Sequence, residues 1–133
     1  MAERGSGYAQ TMKTALLPSR RSPVSDSISV GRRLDAPAAR RIARAVSRIR
    51  EESIRVFTID MSGIESADSA GFGGLVMALR SLEQAHTYAI VICSNPAIRK
   101  LFELASVKRL ATIVPRAEEA QALQAALASG LAS

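Results

Sequence analysis

Residues 55–75 read RVFTIDMSGIESADSAGFGGL, and this stretch decides the fold. Its opening, 55–61, is β-branched and aromatic and nearly free of charge. Such a run fits a strand covered on both faces, because a strand with one wet face alternates apolar and polar residues. A loop through Gly63 follows. From Ser69 to Ala85, Phe72, Val76, Leu79 and Leu82 recur at helical spacing, and 88–93 (YAIVIC) is a second buried strand.

The same alternation extends outward in both directions. Downstream, Asn95 followed by Pro96 starts a helix, since Asn caps free amides and proline fits the first helical position. That helix carries Ile98, Leu101, Phe102 and Leu104. A short strand at 112–114 stops at Pro115, and 118–128 reads as a last helix, with acids in its first turn and Gly130 just past its end. Upstream, Ile28, Val30 and Leu34 predict a strand ending near Asp35. Residues 36–52 then form an amphipathic helix with Ile42, Val46 and Ile49 on one face and Pro37 in its first turn. Four strand-helix pairs in succession predict a single α/β domain over 28–133, with a mostly parallel central β-sheet packed against about four α-helices. Residues 1–27 are rich in Ser, Arg, Gly and Pro and bury too little to offset their ordering entropy. They read as a flexible extension, with a weak edge-strand pattern within 8–17.

Composition bounds the function. Of 133 residues 63 are hydrophobic, but 23 of these are alanine and there is no Trp, so the core must be built from Leu, Ile and Val. A single domain of about 100–150 residues is the natural size, which excludes a large multidomain enzyme. The apolar run 88–93 is far shorter than the roughly 18 residues of a membrane span, so no membrane insertion is expected. The formal charge of +6 invites a nucleic-acid reading, yet residues 1–55 carry 12 basic and 5 acidic side chains and residues 56–133 carry 6 and 7. Arg40, Arg44 and Arg48 form a basic stripe at i, i+4, i+8. Aromatic residues for base stacking are missing from it, and Glu51 and Glu52 close it, so it reads as a solvated face and direct nucleic-acid binding is not expected. Cys93 is the lone cysteine, and the first 27 residues lack the apolar core of a secretory signal. A reducing, cytoplasmic setting is the expectation.

Enzymatic constellations fail by lack of partners. His86 has neither a cysteine nor a second histidine to work with, and Cys93 lies in an apolar strand where it acts as a small hydrophobe. The segment Gly71, Phe72, Gly73, Gly74 lacks both the GxxxxGK[ST] lysine and the GxGxxG spacing of phosphate-binding loops. No catalytic residue, metal or cofactor is expected.

The informative residues are Asp68 and Ser69, delivered to a helix start from the carboxyl end of a buried strand, where open α/β sheets engage ligands and partners. If Asp68 caps the helix, Ser69 is redundant as a cap and its hydroxyl is free to face outward and be modified. Glycines at 71, 73 and 74 weaken the helix start by up to about 1 kcal/mol each. Close approach of a partner and tight packing within the domain both explain them, and the sequence leaves both open.

TIDMSGIESADSAGFGGL (58–75) followed by AIVICSNPAIRKLFELASVKRL (89–110) resembles the STAS domain of bacterial anti-sigma factor antagonists. That pattern is a strand ending in D-L-S, a D-S-x-G-L-G turn and a later S-P-x-V-R-R-L-x-E-L-x-G. The upstream VGRRLDA (30–36) is similar to the family's G-x-L-D-A, so the resemblance covers about residues 28–128. It implies a small domain that binds an anti-sigma factor of the histidine-kinase-like ATPase fold, itself a serine kinase. Phosphorylation of the serine after the motif aspartate ends the binding, and a serine phosphatase restores it. Carried onto this chain, Ser69 is the phosphoacceptor, and Asp68, Ser69, Ala70, Gly71, Phe72 and Gly73 form the partner-binding segment. A related role is that of STAS accessory subunits that bind the ATPase of lipid-transport ABC complexes. The chain departs from the pattern in having one extra residue between Gly31 and Leu34 and in placing Ser106 where the family commonly has glycine.

Overall fold

Strand Ile54–Asp60 runs through the centre of the molecule with every residue from Val56 to Ile59 buried, as its unbroken apolar run predicts. The computed structural model describes residues 24–49 and 51–132. In chain order the elements are β1 (Val24–Ser29), β2 (Arg33–Leu34), α1 (Ala36–Val46), β3 (Ile54–Asp60), β4 (Ser66–Ala67), α2 (Ser69–Gln84), β5 (Tyr88–Ile92), α3 (Pro96–Leu104), a 3-10 turn (Val107–Arg109), β6 (Thr112–Val114) and α4 (Ala117–Ala132). The main sheet has the order β1-β3-β5-β6 and every neighbouring pair is parallel, with Ser27, Thr58, Ile90 and Thr112 in one row across it. This is the α/β architecture with a mostly parallel sheet and four helices that the alternation predicts.

Side-chain parity sorts the sheet into two faces. Phe57 and Ile59 join Leu34, Ile42, Leu75, Leu79, Leu82 and Phe102 in the larger core beneath α1, α2 and α3. Val56, Ile90 and Ile92 face the other way and are covered by Ala120, Leu123 and Leu127 of α4. The polar Thr58 is buried on that second face, where its hydroxyl oxygen accepts from Gln124 Nε2 at 2.6 Å. A buried hydroxyl without such a partner would be destabilising.

The structure corrects three boundaries. The strand expected from Ile28 to Asp35 is two strands separated at Gly31, whose φ of +93° is the left-handed conformation that favours glycine. The first of these begins at Val24, inside the segment read as a flexible extension. Among the described residues β1 is the edge of the sheet, with Ser25 and Ser27 exposed, so it lacks the apolar signature of the inner strands. The remainder of the extension and the pattern within 8–17 lie outside the described residues. The helix expected over 36–52 ends at Val46. There Ser47 turns its hydroxyl onto the carbonyl of Arg44 at 2.7 Å, and Arg48 and Ile49 make tighter i→i−3 bonds. Ile49 stays in the core from outside the helix, which is why it matched the apolar stripe. The last helix runs from Ala117 to Ala132 and contains Gly130 instead of ending before it.

The lower end of α2 closes as a Schellman motif, with Thr87 N–H on the Leu82 carbonyl at 2.9 Å and His86 N–H on that of Glu83 at 3.0 Å. His86 supplies the left-handed residue (φ 58°) and is exposed, as expected of a polar residue at a helix end.

Candidate functional site

Beyond the carboxyl ends of β1 and β3, the chain forms a second, two-residue parallel ladder in which Arg33 pairs with Ser66 and Leu34 with Ala67. The next residue in each strand is an aspartate that caps a helix. Asp35 Oδ1 accepts from Ala38 N–H at 3.1 Å at the head of α1, and Asp68 Oδ1 accepts from Gly71 N–H at 2.8 Å at the head of α2. The ladder therefore sets two helix starts side by side. Asp68 N–H also donates to the Leu34 carbonyl at 3.1 Å, which joins the two starts directly. A third start is tied in by Asn95. Its Oδ1 accepts from Ala97 and Ile98 N–H at 3.0 and 3.3 Å, while its Nδ2 donates to the Ile64 carbonyl at 3.2 Å.

The three glycines now separate by role. A Cβ at Gly71 would overlap the Leu34 carbonyl, and one at Gly74 would collide with Ala39 Cβ on α1. Both are explained by packing inside the domain. Gly73 is different: nothing lies within 4 Å of a Cβ built there.

Ser69 is the first residue of α2 and is exposed, with the capping role taken by Asp68. Of the six residues of the expected partner-binding segment, Asp68, Ser69, Ala70 and Gly73 lie on the surface. Gly71 is buried against the Leu34 carbonyl and positions the start of the helix. Phe72 is half-buried, its ring stacked on Phe102 of α3 with centroids 5.9 Å apart and an interplanar angle of 21°. Met77, also on α2, is 67% exposed and continues the series Ser69, Gly73, Met77 at i, i+4, i+8.

A family comparison matches residues 23–120 to the STAS domain. The chain belongs to the STAS domain family. No curated protein matches it in sequence. Among solved structures it is similar to the anti-sigma factor antagonist SpoIIAA in its unphosphorylated form, at 20% identity and a TM-score of 0.60 over 83% of this chain and 94% of that one. It is similar to the Bacillus cell fate determinant SpoIIAA in the phosphorylated form, at 19% identity and a TM-score of 0.59 over 81% and 96%. It is also similar to a sulfate transporter family protein from Wolinella succinogenes, at 16% identity and a TM-score of 0.72 over 86% and 93%.

Elsewhere in this STAS domain, Cys93 is fully buried, and burial pushes its thiol pKa up against the opposing pull of the Asn95 backbone N–H and Arg99. Arg99 spends its guanidinium on the Cys93 carbonyl at 2.8 Å. Arg55, His86, Lys108 and Arg109 share a cavity of ≈ 440 Å³ near the amino ends of β3, β5 and β6, at the pole opposite Ser69. Among the described residues there is no group of three or more His, Cys, Asp or Glu side chains arranged to hold a metal. No helix among them is long and apolar enough to cross a membrane.

Proposed function

We propose that this STAS domain is an anti-sigma factor antagonist whose partner binding is switched by phosphorylation of Ser69. The observation that carries the reading is the division of labour at the head of α2: Asp68 caps, and the adjacent hydroxyl of Ser69 is left exposed on the first turn. In this reading the unmodified face, including Asp68, Ser69, Ala70 and Gly73, binds an anti-sigma factor of the histidine-kinase-like ATPase fold. That protein phosphorylates Ser69 and is released, and a serine phosphatase resets the domain. The added phosphate brings about −1.5 to −2 charge beside the Asp68 carboxylate. A solvated helix N-terminus tolerates that charge, whereas a closed interface must desolvate it next to a like charge. The similarity of the chain to SpoIIAA in both its unphosphorylated and its phosphorylated form supports a fold that accommodates either state.

Ser69→Glu is expected to weaken binding to the cognate kinase-type anti-sigma factor by at least about tenfold, or about 1.4 kcal/mol, with circular dichroism and melting unchanged. Calorimetry with purified partner reads this out, and retained affinity in the Ser69→Glu protein would sink the switch. A second reading is an accessory subunit on the ATPase of a lipid-transport ABC complex; the likeness to the sulfate transporter family protein, a transport-linked chain, favours it. Binding of that ATPase in place of an anti-sigma factor separates the two.

A further inference from the structure

The turn into β2 and the first residue of that strand are Arg32 and Arg33, both exposed. They fill the place where the chain carries one residue more than the family pattern between Gly31 and Leu34. Among the described residues the ion-paired arginines are Arg48 and Arg116, and those whose guanidinium is hydrogen-bonded are Arg41 and Arg99. Arg33 is in neither set.

Its position is fixed by the small ladder. Arg33 pairs with Ser66 across strands about 4.8 Å apart. Leu34 and Ala67 turn inward, and Arg33 and Ser66 are the exposed pair. The Leu34 carbonyl accepts from Asp68 N–H at 3.1 Å, and the same carbonyl leaves no room for a side chain at Gly71. The first turn of α2 thus rests on the residue next to Arg33, one Cα step of about 3.8 Å away. Ser69 opens that turn, exposed in its turn to solvent.

We infer that Arg33 is the in-chain anchor for the phosphate carried by Ser69. The guanidinium fork matches phosphate oxygens in a bidentate, charge-assisted contact that a lysine would not reproduce. The inference rests on the proposed modification of Ser69 and adds what holds the modified group. The charges around it are mixed. Asp68 and Glu65 on the α2 side, and Asp35 at the head of α1, disfavour the phosphate dianion, while Arg33, its neighbour Arg32 and the head of α2 favour it. Arg33 offsets the Asp68 carboxylate and keeps the phosphate on the surface of the domain.

The test uses the full chain with phosphoserine installed at position 69 during translation, so no kinase is needed. The phosphate is titrated by phosphorus NMR from about pH 4 to about pH 8, spanning its ordinary second pKa near 6. Arg33→Gln is expected to raise that pKa by about half a unit or more, since a neighbouring cation favours the dianion. Arg44→Gln, which removes the same charge from the exposed face of α1, is expected to leave it unchanged. An equal pKa in the parent and Arg33→Gln phosphoproteins overturns the inference, and so does an equal shift in Arg44→Gln, which would reveal only net charge. Failure of the switch itself would appear in the binding assay with Ser69→Glu and leave this titration untouched.

Discussion

At the scale of single residues, the glycines of α2 show how one residue type serves two purposes within four positions. Gly71 has no side chain because the Leu34 carbonyl occupies the space, so Gly71→Ala forces the head of α2 off the ladder. A loss of about 1–3 kcal/mol in denaturant unfolding is expected, the usual range for overpacking. Gly73 faces open space, and the helix would be more stable with alanine there. Gly73→Ala is expected to gain up to about 1 kcal/mol in the same measurement. If the exposed backbone at Gly73 lies against a partner, the variant that folds better also binds worse. A Gly73→Ala protein with both higher stability and full affinity would place the interface elsewhere. The glycine cluster was visible in the sequence, but its division was not. Which glycine meets a carbonyl depends on a ladder between residues 33–34 and 66–67, a contact more than thirty positions apart in the chain.

At the scale of elements, the inner strands and the helix starts were legible because their causes are local. An unbroken apolar run reports a strand covered on both faces, and Asn-Pro or Asp-Ser reports a capped helix start. The strand β1 and the end of α1 were not legible in the same way. β1 is held by backbone pairing to β3 along a largely polar segment, and Ile49 reaches the core after the helix has already ended. Asn95 illustrates an element-level function that spacing alone cannot show. It caps α3 and also holds the loop before β4 through Ile64. Asn95→Asp keeps the acceptor and loses the donor, whereas Asn95→Ala loses both. The alanine variant is expected to lose about 0.5–2 kcal/mol from the missing cap. The aspartate variant is expected to retain most of that stability while amide exchange speeds up in the loop around Ile64. Equal exchange in Asn95→Asp and the parent would show that the Asn95–Ile64 contact does not restrain the loop.

At the scale of the whole molecule, three helix starts, capped by Asp35, Asp68 and Asn95, are gathered at the carboxyl end of the sheet, and the charge of the chain has to be read against that pole. The net +6 belongs to the first 55 residues, whereas residues 56–133, which carry Ser69, sum to −1 from 6 basic and 7 acidic side chains. In the proposed switch, a phosphate on Ser69 would be a large change against this nearly neutral background. Directly after the end of β5, at the same pole, lies Cys93, which gives a probe of how firmly this part of the core is closed. Burial raises the thiol pKa in the folded state, so the folded protein holds its proton more tightly than the unfolded chain does. The resulting stability is fully present below the unfolded thiol pKa of about 8.5 and declines as the pH rises from there through the folded value. Cys93→Ala leaves a small cavity that lowers stability at every pH, but it removes this proton linkage. Unfolding free energies measured across the alkaline range should therefore converge for parent and variant as the pH rises. Parallel curves would mean that the thiolate is as well accommodated in the folded domain as in water, and that the core beneath the head of α3 opens readily.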